Sequence, residues 1–92
     1  MEVSTMLKRL KFMPYATAYT YYTDKHNFAL ISYTTEVITV KDDILTVHGL
    51  YSMTTRRHIS AFLREYTPFS FQLAKQLYTD KKSINITTGE IV

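Results

Sequence analysis

Three histidines, His26, His48 and His58, are the residues of this chain best suited to acid–base or metal chemistry near neutral pH. They stand far apart, in no helical His-x-x-x-His or Glu-x-x-His arrangement that would set two ligands on one face, so their spacing points to no metal site. Asp42-Asp43 brings two carboxylates together in sequence. Neighbouring residues of an extended strand point to opposite sides, however, and Lys41-Asp42-Asp43 reads as a hairpin turn. The chain has no cysteine, which removes thiol catalysis, disulfides and Cys-ligated zinc. Its two glycines, Gly49 and Gly89, stand alone, so neither a Gly-rich phosphate loop nor a G-x-S-x-G nucleophile elbow is present. The expectation is a protein that is not an enzyme and has no catalytic, metal or cofactor site.

The basic and aromatic residues carry more information. On a helical wheel Arg57 and Arg64 lie together one heptad apart, opposite Ile59, Phe62 and Tyr66; Arg56 and Ser60 border one side, His58 and Glu65 the other. Such a face contacts phosphates or an acidic protein, or is simply solvated. Lys75, Lys81 and Lys82 extend it if a second helix packs alongside, and Lys8, Arg9 and Lys11 do so if the N-terminus folds back. Among eight tyrosines, Tyr15, Tyr19 and Tyr21 share one side of a strand by period two, and Tyr22 takes the other. One of these sides joins the core; the other leaves tyrosines on the surface, where large rigid rings favour recognition. The candidate partner-binding residues are therefore Arg56, Arg57, Arg64, Lys75, Tyr19, Tyr21 and Tyr22. A helix-turn-helix reader with Gln72, Lys75 and Gln76 facing bases is a weaker alternative, because the same apolar stripe is explained by packing on a sheet.

These residues must be positioned by a chain of 92 residues, enough for one domain over 1–92. With 46% hydrophobic and 14% aromatic residues it has the composition of a folding chain. A net charge of +3 is too small for a protein dominated by phosphate contacts. The start, Met1 to Lys8, lacks the continuous apolar stretch of a signal peptide, which predicts a cytoplasmic protein. Residues 15–48 are rich in Tyr, Thr, Val and Ile with polar turns at 23–27 and 41–43, and read as β. Residues 54–79 read as helical: Ile59, Phe62, Leu63 and Tyr66 fall at i, i+3, i+4, i+7, and Thr67-Pro68 reads as the cap and first residue of a second helix. Residues 83–92 read as an edge strand with a Thr88-Gly89 turn, while residues 4–12 suit helix and strand equally. The fold class expected is α+β, an antiparallel meander of three to four strands packed against one or two amphipathic helices.

Tyr51-Ser52-Met53-Thr54-Thr55-Arg56-Arg57-His58-Ile59-Ser60-Ala61-Phe62-Leu63-Arg64 resembles a pattern, Y-S-x-T-T-x-x-H-I-x-x-F-L-R, of small uncharacterised proteins of phages, plasmids and other mobile elements in Gram-positive bacteria. The matching S-Y-x-T strand is here Ser32-Tyr33-Thr34-Thr35. The resemblance implies no activity and no catalytic residue. It implies a context, the cytoplasm of a bacterial host, in which inhibitors of defence nucleases, anti-CRISPR proteins among them, are frequent. Many of those are acidic mimics of DNA, and the positive charge here argues instead for docking on a protein surface or on bound nucleic acid. The expected function is a non-enzymatic protein, monomer or homodimer, that inhibits a host defence complex such as a CRISPR effector nuclease by protein contact. The alternative is a small nucleic-acid-binding or transcription-regulating domain.

Overall fold

The computed structural model describes residues 6–92, so Ser4 and Thr5 of the ambiguous first segment lie outside the described residues. Strands β1 (Met6–Arg9), β2 (Ala18–Asp24), β3 (Asn27–Ser32), β4 (Thr35–Lys41) and β5 (Ile44–Val47) precede helices α1 (Met53–Tyr66) and α2 (Phe71–Asp80), and β6 (Ile84–Asn85) follows them. All six strands form one antiparallel sheet in chain order. The α+β class stands, but the three to four strands expected become six. The ambiguous first segment pairs with β2, Leu7 opposite Tyr21 and Arg9 opposite Tyr19, and the tail adds β6 beside β5.

Local chemistry explains the turns. Ser32 pairs with Thr35 across a Tyr33-Thr34 turn, and Lys41 pairs with Ile44 across Asp42-Asp43. Both aspartates have positive φ (50° and 68°), the geometry whose twist matches that of a two-residue hairpin and which Asp tolerates. Between Leu30 and Ile31 the β3–β4 register shifts. The bulged Val37 and its neighbour Ile38 both enter the core, which is why alternation along this strand is incomplete in the sequence.

The helices cover one sheet face only. Leu30, Ile38, Val40 and Leu45 meet Ile59, Phe62 and Leu63 of α1 and Ala74 and Leu77 of α2 in one core cluster. Ser52 caps α1, its Oγ accepting from the Thr55 N–H. Thr67 does not start the second helix. It closes the first: its N–H and Oγ1 both donate to the Leu63 carbonyl, at 2.8 Å each, and the cap of α2 is Ser70. Tyr15 likewise lies outside β2, 96% exposed in the loop before it.

Candidate functional site

The two halves of the Ser/Thr/His pattern meet in space. Ser32 ends β3, and His58 sits one turn into α1 on the side facing the sheet, each 1% exposed. Ser32 Oγ and His58 Nδ1 share a hydrogen bond of 2.8 Å, and Thr55 Oγ1 lies 3.1 Å from the same Oγ. Ser52 Oγ donates to Thr55 Oγ1 at 3.3 Å, continuing the chain of hydroxyls to the helix cap. The Tyr33 ring packs against the imidazole at a tilt of 51°, with centroids 5.8 Å apart. Burial holds the His58 pKa below its ordinary 6.5, so the ring is neutral at pH 7 and bridges helix to sheet. Although Ser and His are hydrogen-bonded, a serine this buried is closed to a substrate, and among the described residues no carboxylate is hydrogen-bonded to the imidazole.

His58 was expected on a flank of α1 and is instead in its interior face. The signal was present: Thr55, His58, Ile59 and Phe62 fall at i, i+3, i+4, i+7, and all four are buried. The other histidines serve separate contacts, His26 Nδ1 with Asp43 Oδ1 at 2.7 Å and His48 Nε2 with Thr39 Oγ1 at 2.8 Å. Among the described residues no three His, Asp or Glu side chains gather where a metal ion would sit.

The candidate partner-binding residues divide between the two layers. Arg57 and Arg64 are exposed and Arg56 half-buried on α1, and Lys75 is exposed on α2. Tyr19 and Tyr21 lie on the opposite, uncovered sheet face, next to Ile31 and Ala29. Tyr22 points to the helical side and is part of the packing. Its ring is 5.8 Å from Phe28 and 6.2 Å from Tyr66, which continue to Phe62. Within this cluster the hydroxyls of Thr20 and Tyr66 are both buried, and burial raises the Tyr66 pKa above its ordinary 10.0.

The N-terminal segment does fold back onto the helical layer. Leu10 is fully buried, the Lys11 N–H donates to Glu65 Oε1 at 2.8 Å, and the Arg64 guanidinium lies 4.1 Å from the Phe12 ring centroid, with Lys11 Nζ at 5.5 Å. Lys8 Nζ sits 4.2 Å above Tyr22. These cations rest on rings, not on carboxylates. Among the described residues the ion pair within 4.0 Å is His26–Asp43, and none of the eleven Lys and Arg side chains has one. Three of the acids are engaged elsewhere. Asp24 Oδ1 accepts from the His26 N–H at 2.8 Å, a bond that is the main reason its pKa is lowered. Glu65 takes the Lys11 amide, and Asp80 the Gln76 side chain.

The uncovered sheet face also carries a groove of about 370 Å³ lined by Tyr21, Ala29, Glu36, Thr39 and Lys41. No helix among the described residues is long and apolar enough to cross a membrane. The fold and these surfaces define a small two-layer α+β domain with exposed cations on its helical side. Residues 1–82 match a family of unknown function (DUF8033), and the chain belongs to that family. No curated protein and no solved structure matches it.

Proposed function

We propose that this protein is a non-enzymatic binding protein of a phage or other mobile element that inhibits a host defence complex, in the manner of an anti-CRISPR protein, by docking on an acidic patch of a protein such as a CRISPR effector nuclease. The observation that supports it is a set of cations: Arg57, Arg64, Lys75 and Lys11 are exposed on the helical side and, among the described residues, have no carboxylate within ion-pair distance. Arg64 is held ready by the Phe12 ring, so less side-chain freedom is lost when it meets a carboxylate. Tyr22 is withdrawn from the contact surface, and Tyr19 and Tyr21 serve a different side of the domain.

The test is co-purification and nuclease inhibition with effector complexes of a Gram-positive host, comparing the wild type with Arg57→Glu/Arg64→Glu. Loss of both by a variant that keeps its circular dichroism spectrum and melting midpoint supports this reading. Unchanged inhibition removes the arginine face from the mechanism.

One observation favours a second reading, nucleic-acid binding: Lys11 and Arg64 flank a half-open aromatic ring, an arrangement that serves phosphates and stacked bases. It predicts retardation of single-stranded or duplex probes that weakens steeply as salt rises, through counterion release. No shift at low salt refutes it.

A further inference from the structure

The two edges of the sheet are finished differently. Beyond β6 the chain closes its own edge. Ser83 and Val92 exchange both backbone hydrogen bonds (3.2 and 2.8 Å), the Asn85 N–H donates to the Glu90 carbonyl at 2.8 Å, and Ile84 bridges Ile91. At the other edge β1 has β2 on one side and, among the described residues, no strand on the other. Its four residues are all exposed, Met6 at 54% and Leu7 at 63%. A strand left in this state presents its outer amides and carbonyls as a template for another strand.

The side chains of β1 say which strand fits. Lys8 faces the helical side, above Tyr22; Arg9 faces the uncovered side, 5.9 Å from the Tyr19 ring centroid, with its Nη1 donating to the Pro14 carbonyl. Leu7 lies on the uncovered side opposite Tyr21, and Met6 on the other side opposite Tyr22. No acidic residue stands in the strand. Side chains of a strand added outside β1 would lie about 4.5–5.5 Å from those of β1, close enough for carboxylates to meet Lys8 and Arg9. A second copy of β1 is disfavoured, because antiparallel self-pairing would crowd two lysines and two arginines on one seam. The cations that defend this edge against self-association thus select for an acidic partner.

We infer that the β1 edge is the docking strip for an extended acidic segment of a protein partner, added as a seventh strand. In the antiparallel sense that segment reads acid–acid–apolar–apolar, opposite Arg9, Lys8, Leu7 and Met6 in turn. The inference rests on the reading of the chain as a binding protein, but it uses a surface that the arginine face does not include.

The probe is a fluorescein-labelled peptide, acetyl-SGTEEVVTG-amide, titrated with the full chain by fluorescence anisotropy. It is accompanied by a version with lysine for both glutamates and by two versions N-methylated on alternate amides in the two possible phases. Strand addition predicts saturable binding and a loss of about tenfold or more in the lysine version. It also predicts that N-methylation abolishes binding in one phase and spares it in the other, because only alternate amides face the edge. Lys8→Glu/Arg9→Glu should lose the peptide, and Arg57→Glu/Arg64→Glu should keep it. Failure of the acidic peptide to bind, equal binding of the two N-methylated versions, or a wild-type dimer dissociated by Lys8→Glu/Arg9→Glu would each overturn the inference. Loss of peptide through the helix variant alone would overturn it too, while leaving the arginine-face reading standing.

Discussion

The buried imidazole of His58 gives this protein a specific acid sensitivity. The ring is 1% exposed, and its Nδ1 is 2.8 Å from Ser32 Oγ. In the unfolded chain it takes up a proton near the ordinary 6.5, whereas in the fold burial resists the charge to lower pH. Between those two values the unfolded state binds more protons, so stability falls as pH falls. The contribution is complete above the unfolded value and is lost progressively as pH drops through the folded one. The limiting slope is about 1.4 kcal/mol per pH unit. His58→Gln keeps a polar group near Ser32 but cannot titrate, and at pH 7.5 it should cost about 1–2 kcal/mol through an imperfect buried hydrogen bond. Urea unfolding of both proteins at pH 7.5, 6.5 and 5.5 isolates the effect, because subtraction cancels the groups common to both. The advantage of the wild type should shrink from the highest pH to the lowest, because the fold resists a proton that the unfolded chain takes up. A constant difference across the three values would show that the imidazole is not buried neutral, and the helix–sheet lock would have to be abandoned.

The helix ends offer two simpler measurements. Ser52→Ala removes the oxygen that accepts from the Thr55 N–H at 3.2 Å and should lower stability by about 1 kcal/mol in chemical denaturation. Lys81 closes α2 in left-handed backbone at φ 55°, so Lys81→Gly should raise stability by about 0.5–1 kcal/mol in the same assay. A destabilised glycine variant would mean that the lysine side chain contributes more than its backbone strain costs.

How far the sequence reached depended on whether a residue's role was decided locally. Asp42-Asp43 could be read as a turn because aspartate tolerates positive φ wherever it stands, and Ile59, Phe62, Leu63 and Tyr66 because helical period is a property of the segment. Met6–Arg9 could not be resolved, since a strand of four exposed residues has no buried side to alternate against and is defined by its pairing with β2. Thr67-Pro68 misled because a hydroxyl can accept from the free N–H groups that open a helix or donate to the free carbonyls that close one. The deciding fact, that Thr67 Oγ1 reaches back to Leu63, is geometric. His58 was legible as a position on the buried stripe of α1, whereas its partner Ser32, a contact spanning 26 residues, was not. The partner surface was legible as residue types and not as a surface, since a wheel and an alternation pattern do not say that the sheet's free side faces away from the helices.

That separation constrains how a partner can be held. Arg57 and Arg64 on one layer and Tyr19 and Tyr21 on the other cannot meet a single flat surface, because the sheet lies between them. The β1 edge reaches both sides. Lys8 leans onto Tyr22, whose ring touches Tyr66 of α1, while Arg9 leans toward Tyr19 on the uncovered face. A strand added along this edge would send alternate side chains to the two faces, so one extended segment could reach cations on the helical side and tyrosines on the other. A globular surface pressed against α1 would reach the first and not the second. The two modes therefore differ in a measurable respect: Tyr21→Ala, on the uncovered face beside Leu7, should weaken capture of an edge-docking partner several-fold and leave a partner held only by the arginine face unaffected.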